Sequence, residues 1–150
     1  MPELIFKVLA IEDIANIFQA SKGNVADYFY KFETLAEARQ WVNNAIREHE
    51  EGKKLEYVVY EGEDFIGMIS PRYLDPKTVD IGMWVSVDFQ GKGYGKRMLS
   101  NLLNRLTSKG VKEVVYETDK DNMASIALAE SLGFKMYDDS NMLVFKLALT

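Results

Sequence analysis

Gln90-Gly91-Lys92-Gly93-Tyr94-Gly95-Lys96-Arg97 lies between a β-branched and aromatic run, Thr78 to Val87, and an amphipathic run, Met98 to Leu106. Three glycines in five residues cost backbone entropy, so the turn has a use for them. Glycines let successive backbone N–H groups converge on phosphate oxygens. The following helix N-terminus adds a partial positive charge, and Lys92, Lys96 and Arg97 add full ones. A pyrophosphate fits such a cradle. Two better-known phosphate loops fail on spelling. A dinucleotide fingerprint starting at Gly91 and Gly93 needs glycine or alanine where Lys96 stands, and a P-loop ending in Gly95-Lys96 needs glycine at Gln90 and Ser or Thr at Arg97.

Working outward, Met98, Leu99, Leu102, Leu103 and Leu106 form one apolar helix face, and Lys109-Gly110 supplies a basic last turn and a glycine stop. Thr78 to Val87 before it and Val111 to Thr118 after it read as strands. Strand, helix and strand in so short a span predict a right-handed crossover joining parallel neighbours. Upstream, Leu55 to Tyr60 and Phe65 to Ser70 flank the turn Glu61-Gly62-Glu63-Asp64 and predict a hairpin. Further back, Leu35, Ala38, Trp41, Val42, Ala45 and Ile46 share a face of a helix over Thr34 to His49, with Thr34 and Glu37 spelling a capping box. Phe6 to Leu9 reads as a strand. Ile11, Ile14, Ala15 and Phe18 recur at helical spacing until Ser21-Lys22-Gly23-Asn24 stops them. Downstream, a short helix from Asn122 to Leu132 ends at Gly133, and strands follow around Phe134 to Tyr137 and Met142 to Leu149. The expected fold class is mixed α/β: an antiparallel N-terminal half with a central parallel strand pair.

The chain has 150 residues, 47% hydrophobic and 27% charged, which matches one compact domain spanning 1–150 and excludes disorder and collagen. With no cysteine and a single His49, disulfides, thiolate sites and multi-histidine metal centres are excluded, and no metal is expected. His49, in Glu48-His49-Glu50-Glu51, reads as the solvated end of a helix. Eighteen basic residues against 23 acidic ones give a net charge of −5, which disfavours nucleic acid and tolerates a cationic amine. No apolar run reaches a membrane span, and Met1-Pro2-Glu3-Leu4 is unlike a signal peptide, so the expected setting is cytoplasmic without a membrane partner.

The segment Val79 to Tyr137, with Asp80-Ile81-Gly82-Met83-Trp84-Val85, the Gln90 to Gly95 loop, Asp121-Asn122-Met123-Ala124-Ser125 and Leu132-Gly133-Phe134, resembles the GNAT superfamily of N-acetyltransferases, and within it the RimJ/RimL-like branch. Gln90, Gly93 and Gly95 match that superfamily's acetyl-coenzyme A signature, Gln/Arg-x-x-Gly-x-Gly/Ala. The order of helices and hairpin in the N-terminal half agrees, so the resemblance covers nearly the whole chain. It implies the GNAT-like acyl-CoA N-acyltransferase fold and acetyl-CoA as acetyl donor. In that reading, backbone groups around Trp84, Val85 and Val87 pair with the pantetheine arm. Gln90, Gly91, Lys92, Gly93, Tyr94, Gly95 and Lys96 hold the pyrophosphate, and Asn122 and Ser125 lie beside the pantetheine and thioester. From its residues alone, Asn122 reads as a helix N-cap.

The family transfers its acetyl group by direct attack of an amine in a ternary complex. A carboxylate, directly or through water, must take the amine's proton. Asp80 matches the family's acidic position on the central strand, with Glu117 as a rival. The tyrosine that commonly serves as acid in the family is replaced by Ala129, and Ser125 or Tyr94 is the expected substitute. The acceptor is a primary amine, on a small molecule or a protein N-terminus. Tyr28-Phe29-Tyr30-Lys31-Phe32 and the loop Pro71-Arg72-Tyr73-Leu74-Asp75-Pro76 are candidate walls for it. A non-catalytic acyl-CoA-binding module and a nucleotide-binding regulatory domain are the competing readings, and a homodimer through the C-terminal strands is left open.

Overall fold

The computed structural model describes residues 2–22, 31–52 and 54–150. In chain order they form β1 (Ile5–Val8), a 3-10 turn (Ile11–Asp13), α1 (Ile14–Ser21), α2 (Leu35–Glu50), β2 (Tyr57–Glu61), β3 (Asp64–Asp75) and β4 (Thr78–Val85). A second 3-10 turn (Val87–Phe89) leads to α3 (Tyr94–Ser108), β5 (Glu113–Thr118), α4 (Met123–Ser131), β6 (Lys135–Asp138) and β7 (Leu143–Ala148). The strand order is β1-β2-β3-β4-β5-β7-β6. β4 and β5 pair in parallel, from Thr78 opposite Glu113 to Ile81 opposite Tyr116. β1-β2, β2-β3, β5-β7 and β6-β7 are antiparallel. The expected mixed sheet and its parallel pair are therefore present.

Contacts group the chain into two compact units, residues 1–70 with 83–94 and residues 71–82 with 95–150, so β3 and β4 contribute to both. In the first unit, α1 and α2 bury Ile14, Ile17, Ala38, Val42 and Ala45 with Val58, Met68 and Trp84. The α1 stripe differs from its expected phase. Ile11 is 61% exposed and Ala15 is exposed, while Ile17 is fully buried, because the 3-10 turn at Ile11–Asp13 resets the rotation before α1 begins. Thr34 caps α2 by accepting from the Glu37 N–H at 3.1 Å, and the Glu37 carboxylate accepts from the N–H of Glu33 at 3.0 Å. His49 is exposed in the last turn of α2, at the expected place.

Asp13 and Glu56 are both buried in this unit, Glu56 paired with Lys54 at 2.9 Å. Asp13 accepts from Lys7 Nζ at 2.6 Å, the Ala10 N–H at 2.8 Å and the Tyr60 hydroxyl at 2.8 Å, and Asn16 Nδ2 in turn donates to that hydroxyl at 3.0 Å. These bonds offset the carboxylate's desolvation. Burial pushes the Tyr60 phenol up to about 12.

The hairpin forms about the expected turn, but β3 runs on through Pro71 to Asp75. The segment expected to be a loop is thus strand to its fifth residue, because proline's fixed φ is compatible with extended backbone. The strand expected to reach Val87 ends at Val85, and Val87 opens the 3-10 turn. In the second unit, Met98, Leu99, Leu102, Leu103 and Leu106 are all buried, as their spacing requires. On β5, Val114, Val115, Tyr116 and Thr118 are buried and Glu117 is exposed, so the strand is covered on both faces over Val114 to Tyr116.

Candidate active site

In the first unit, the loop after β4 is built by backbone demands. Gly91 and Gly93 have φ of +72° and +86°, values that side chains rarely tolerate. A Cβ placed on either would meet nothing within 4 Å. Their need is thus conformational, and the concave backbone they create is open to a ligand. Gly95 is different: it lies in the first turn of α3. The Gln90 side chain folds back, its Nε2 donating to the Val85 carbonyl at 2.8 Å, so this glutamine ties the loop to the end of β4. Lys92 and Lys96 are exposed.

Tyr94 is a tether. Its hydroxyl donates to Glu61 Oε1 at 2.6 Å, and its ring meets Phe89 edge-on at 5.5 Å. That hydrogen bond ties the start of α3 to a carboxylate on β2. Tyr94→Phe should weaken coenzyme A binding by about three- to tenfold, the net scale of an ordinary hydrogen bond, since the tether acts on the loop and not on the ligand; calorimetry showing unchanged affinity would remove the tether's role in shaping the loop.

Just upstream, Ile66 is an extra residue on β3, since Tyr60 faces Phe65 and Val59 faces Gly67. The Ile66 carbonyl accepts from the Ser86 N–H at 2.7 Å. Bulges of this kind re-aim a strand beside a site. A cleft of about 460 Å³ beside the second 3-10 turn is lined in part by Asn16, Gln19, Lys22, Phe65 and Asp88. Of the aromatic cluster expected to wall an acceptor, Tyr28, Phe29 and Tyr30 lie outside the described residues. Phe32 packs against the core, with its ring 5.9 Å from that of Trp41.

In the second unit, Asp80 lies on β4 opposite Val115. Neighbours across a sheet share a face, so Asp80 and Glu117 are on one face of the strand pair and Tyr116 is on the other. Arg72 Nη2 sits 2.6 Å from Asp80 Oδ2, an ion pair that the sequence did not announce. Asn122 is the N-cap of α4, its Oδ1 accepting from the Ser125 N–H at 3.2 Å. That bond fixes Ser125 in the first turn, where its Oγ lies 2.7 Å from the Tyr116 hydroxyl. Ala129, at the position of the family's common tyrosine, is fully buried. Tyr116 was not among the expected site residues, and only its place on β5 brings it to Ser125.

Residues 3–135 match the acetyltransferase (GNAT) domain family. The chain belongs to that family. The ribosomal protein bS18-alanine N-acetyltransferase of Escherichia coli K12 is 30% identical over 106 residues, 70% of this chain and 71% of that relative. The solved RimL ribosomal L7/L12 α-N-protein acetyltransferase in complex with coenzyme A superposes with a TM-score of 0.85 at 20% identity, covering 97% of this chain and 94% of that one. An acetyltransferase from Salmonella typhimurium that modifies the N-terminal serine of L7/L12 gives 0.85 at 20% identity, over 98% and 95%. At these identities the structures speak for the fold. The family match makes this GNAT chain an acetyltransferase and sets the catalytic reading above a non-catalytic binding module. Among the described residues, no cluster of three or more His, Cys, Asp or Glu side chains could hold a metal, and no helix is long and apolar enough to cross a membrane.

Proposed function

We propose that residues 1–150 act as one cytoplasmic domain transferring the acetyl group of acetyl-CoA to a primary amine at a protein N-terminus. The observation that carries the donor is the Gly91–Gly93 backbone, left-handed at both glycines and open above them, which fits a pyrophosphate. The N-terminal acceptor rests on the bS18-alanine N-acetyltransferase, matched across most of both chains.

Acetyl-CoA supplies an activated acyl group when bound. This chain's residues do the rest. Gln90 to Lys96 cradle the diphosphate through backbone N–H groups and lysine charge, and the strand end at Trp84 and Val85, with Val87 beyond it, lies along the pantetheine arm. An acceptor ammonium must lose a proton before it attacks. Asp80 or Glu117, on one face of the β4-β5 pair, takes it directly or through water. Asn122 and Ser125 lie at the thioester, with Ser125 facing the departing sulfur. The −5 charge favours approach of a cationic amine. Two copies of the chain could pair through the C-terminal strands without altering these roles.

The test is release of free coenzyme A thiol in the presence of peptides with free or blocked N-termini. Turnover with free Ala- or Ser-initiated peptides and none with blocked ones supports the reading. Turnover with polyamines or free amino acids alone would move the acceptor to small molecules.

A further inference from the structure

We propose that Tyr116 is a positioning residue that turns the Ser125 hydroxyl outward as a hydrogen-bond donor to the departing sulfur. The inference rests on the acetyltransferase reading above and assigns a residue that the sequence did not suggest.

The geometry supplies a direction. Two hydroxyls 2.7 Å apart share one hydrogen bond, and either could be its donor. Tyr116 is 4% exposed, between the buried Val115 and the exposed Glu117, with its ring 5.9 Å from that of Phe134. Ser125 is only half-buried. If Ser125 donated, the phenolic O–H would be stranded in a dry environment, a cost that buried polar groups avoid. Tyr116 therefore donates. The Ser125 Oγ accepts, and its own O–H is left to point away from Tyr116. Because Asn122 Oδ1 fixes the Ser125 backbone, the outward hydroxyl is held in place.

This pair does the work expected of the tyrosine that Ala129 replaces, by a different route. As the carbon–sulfur bond breaks, its electron pair stays on sulfur, and the Ser125 O–H bonds to that charge. Neither hydroxyl surrenders its proton, because a thiol, with an ordinary pKa of about 8.5, is a stronger acid than either. Burial pushes the Tyr116 phenol up, partly offset by its bond to Ser125, which keeps it a neutral donor. A chain of two such bonds is stronger than its links alone.

Coenzyme A itself is the probe, with desulfo-coenzyme A as the control lacking the thiol. Both are titrated calorimetrically into wild type, Tyr116→Phe, Ser125→Ala and the double variant, from about pH 6.5 to about pH 9.5, spanning the thiol pKa. In wild type, the preference for coenzyme A over its desulfo analogue should grow as the thiolate forms. Tyr116→Phe should cut that gain by about tenfold, the scale of a hydrogen bond to a charge, with desulfo affinity unchanged. On the Ser125→Ala background, Tyr116→Phe should change nothing further, since it acts through Ser125. A wild-type gain in Tyr116→Phe, equal losses for both ligands, or additive effects in the double variant would each overturn the relay while leaving the acetyltransferase reading standing. Failure of wild type to bind either ligand would overturn both.

Discussion

Gly93→Glu should abolish coenzyme A binding, a loss of more than about a hundredfold, while the chain stays folded. Two effects act together. At φ +86° a side chain carries strain of about 1–2 kcal/mol, and a new carboxylate stands where the pyrophosphate charge must settle. Nothing within 4 Å crowds an added Cβ, so the fold has room for the substitution and the ligand does not. Gly93→Ala separates the two effects: it brings the strain without the charge, and should weaken binding by less than about tenfold, within the range that the strain alone allows. Calorimetry on both variants, with melting curves as the folding control, reads the difference. Retained affinity in Gly93→Glu would take the pyrophosphate away from this loop.

That loop was legible because its requirement is local. Left-handed backbone at alternate positions needs glycine, and Gly91 and Gly93 state it in the sequence. The same holds for the α3 face, where every expected leucine and methionine is buried, and for Asn122, whose capping bond depends on residues within one turn. The parallel β4-β5 pair followed from the order of elements and the handedness of crossovers. Errors appeared where a local signal has two outcomes. Pro71 resembles a strand terminator yet suits extended backbone, and the Ile11–Asp13 turn shifts a helical stripe by a fraction of a turn that residue spacing does not record.

Long-range pairs were not legible. Nothing in the spacing connects Tyr94 with Glu61, thirty-three residues earlier, to which its hydroxyl donates. Nothing in the spacing pairs Asp80 with Arg72, which reaches it across the turn between β3 and β4. Tyr116 carried no signal of its own, since no spacing rule connects it to Ser125. Each pairing depends on sheet register, which is set by the whole fold. The glycines that shape the loop were therefore readable, and the long-range partners of Tyr94, Asp80 and Ser125 were not.

Gly67 is the hidden counterpart of the loop glycines, and Gly67→Ala should be among the most destabilising single changes in the chain. It has ordinary backbone angles, so no turn rule marks it. Its importance is proximity: a Cβ there would lie 2.2 Å from the Trp84 carbonyl oxygen and 3.0 Å from the Val85 Cα. Those atoms are backbone and cannot swing aside, so β3 and β4 must part. Overpacking against backbone should cost about 2–4 kcal/mol, a fall in Tm of roughly 5–15 °C for a chain of this size. The displaced segment carries the Val85 carbonyl that anchors Gln90, so coenzyme A affinity should drop as well. Gly82, also on β4, is the control, because a Cβ there meets nothing within 4 Å, and Gly82→Ala should leave Tm nearly unchanged. Thermal melts of the two variants beside wild type decide the matter. Equal, small shifts would mean that β3 and β4 are free to separate at Gly67, and the bulge at Ile66 would then not be what aims the end of β4 toward the loop.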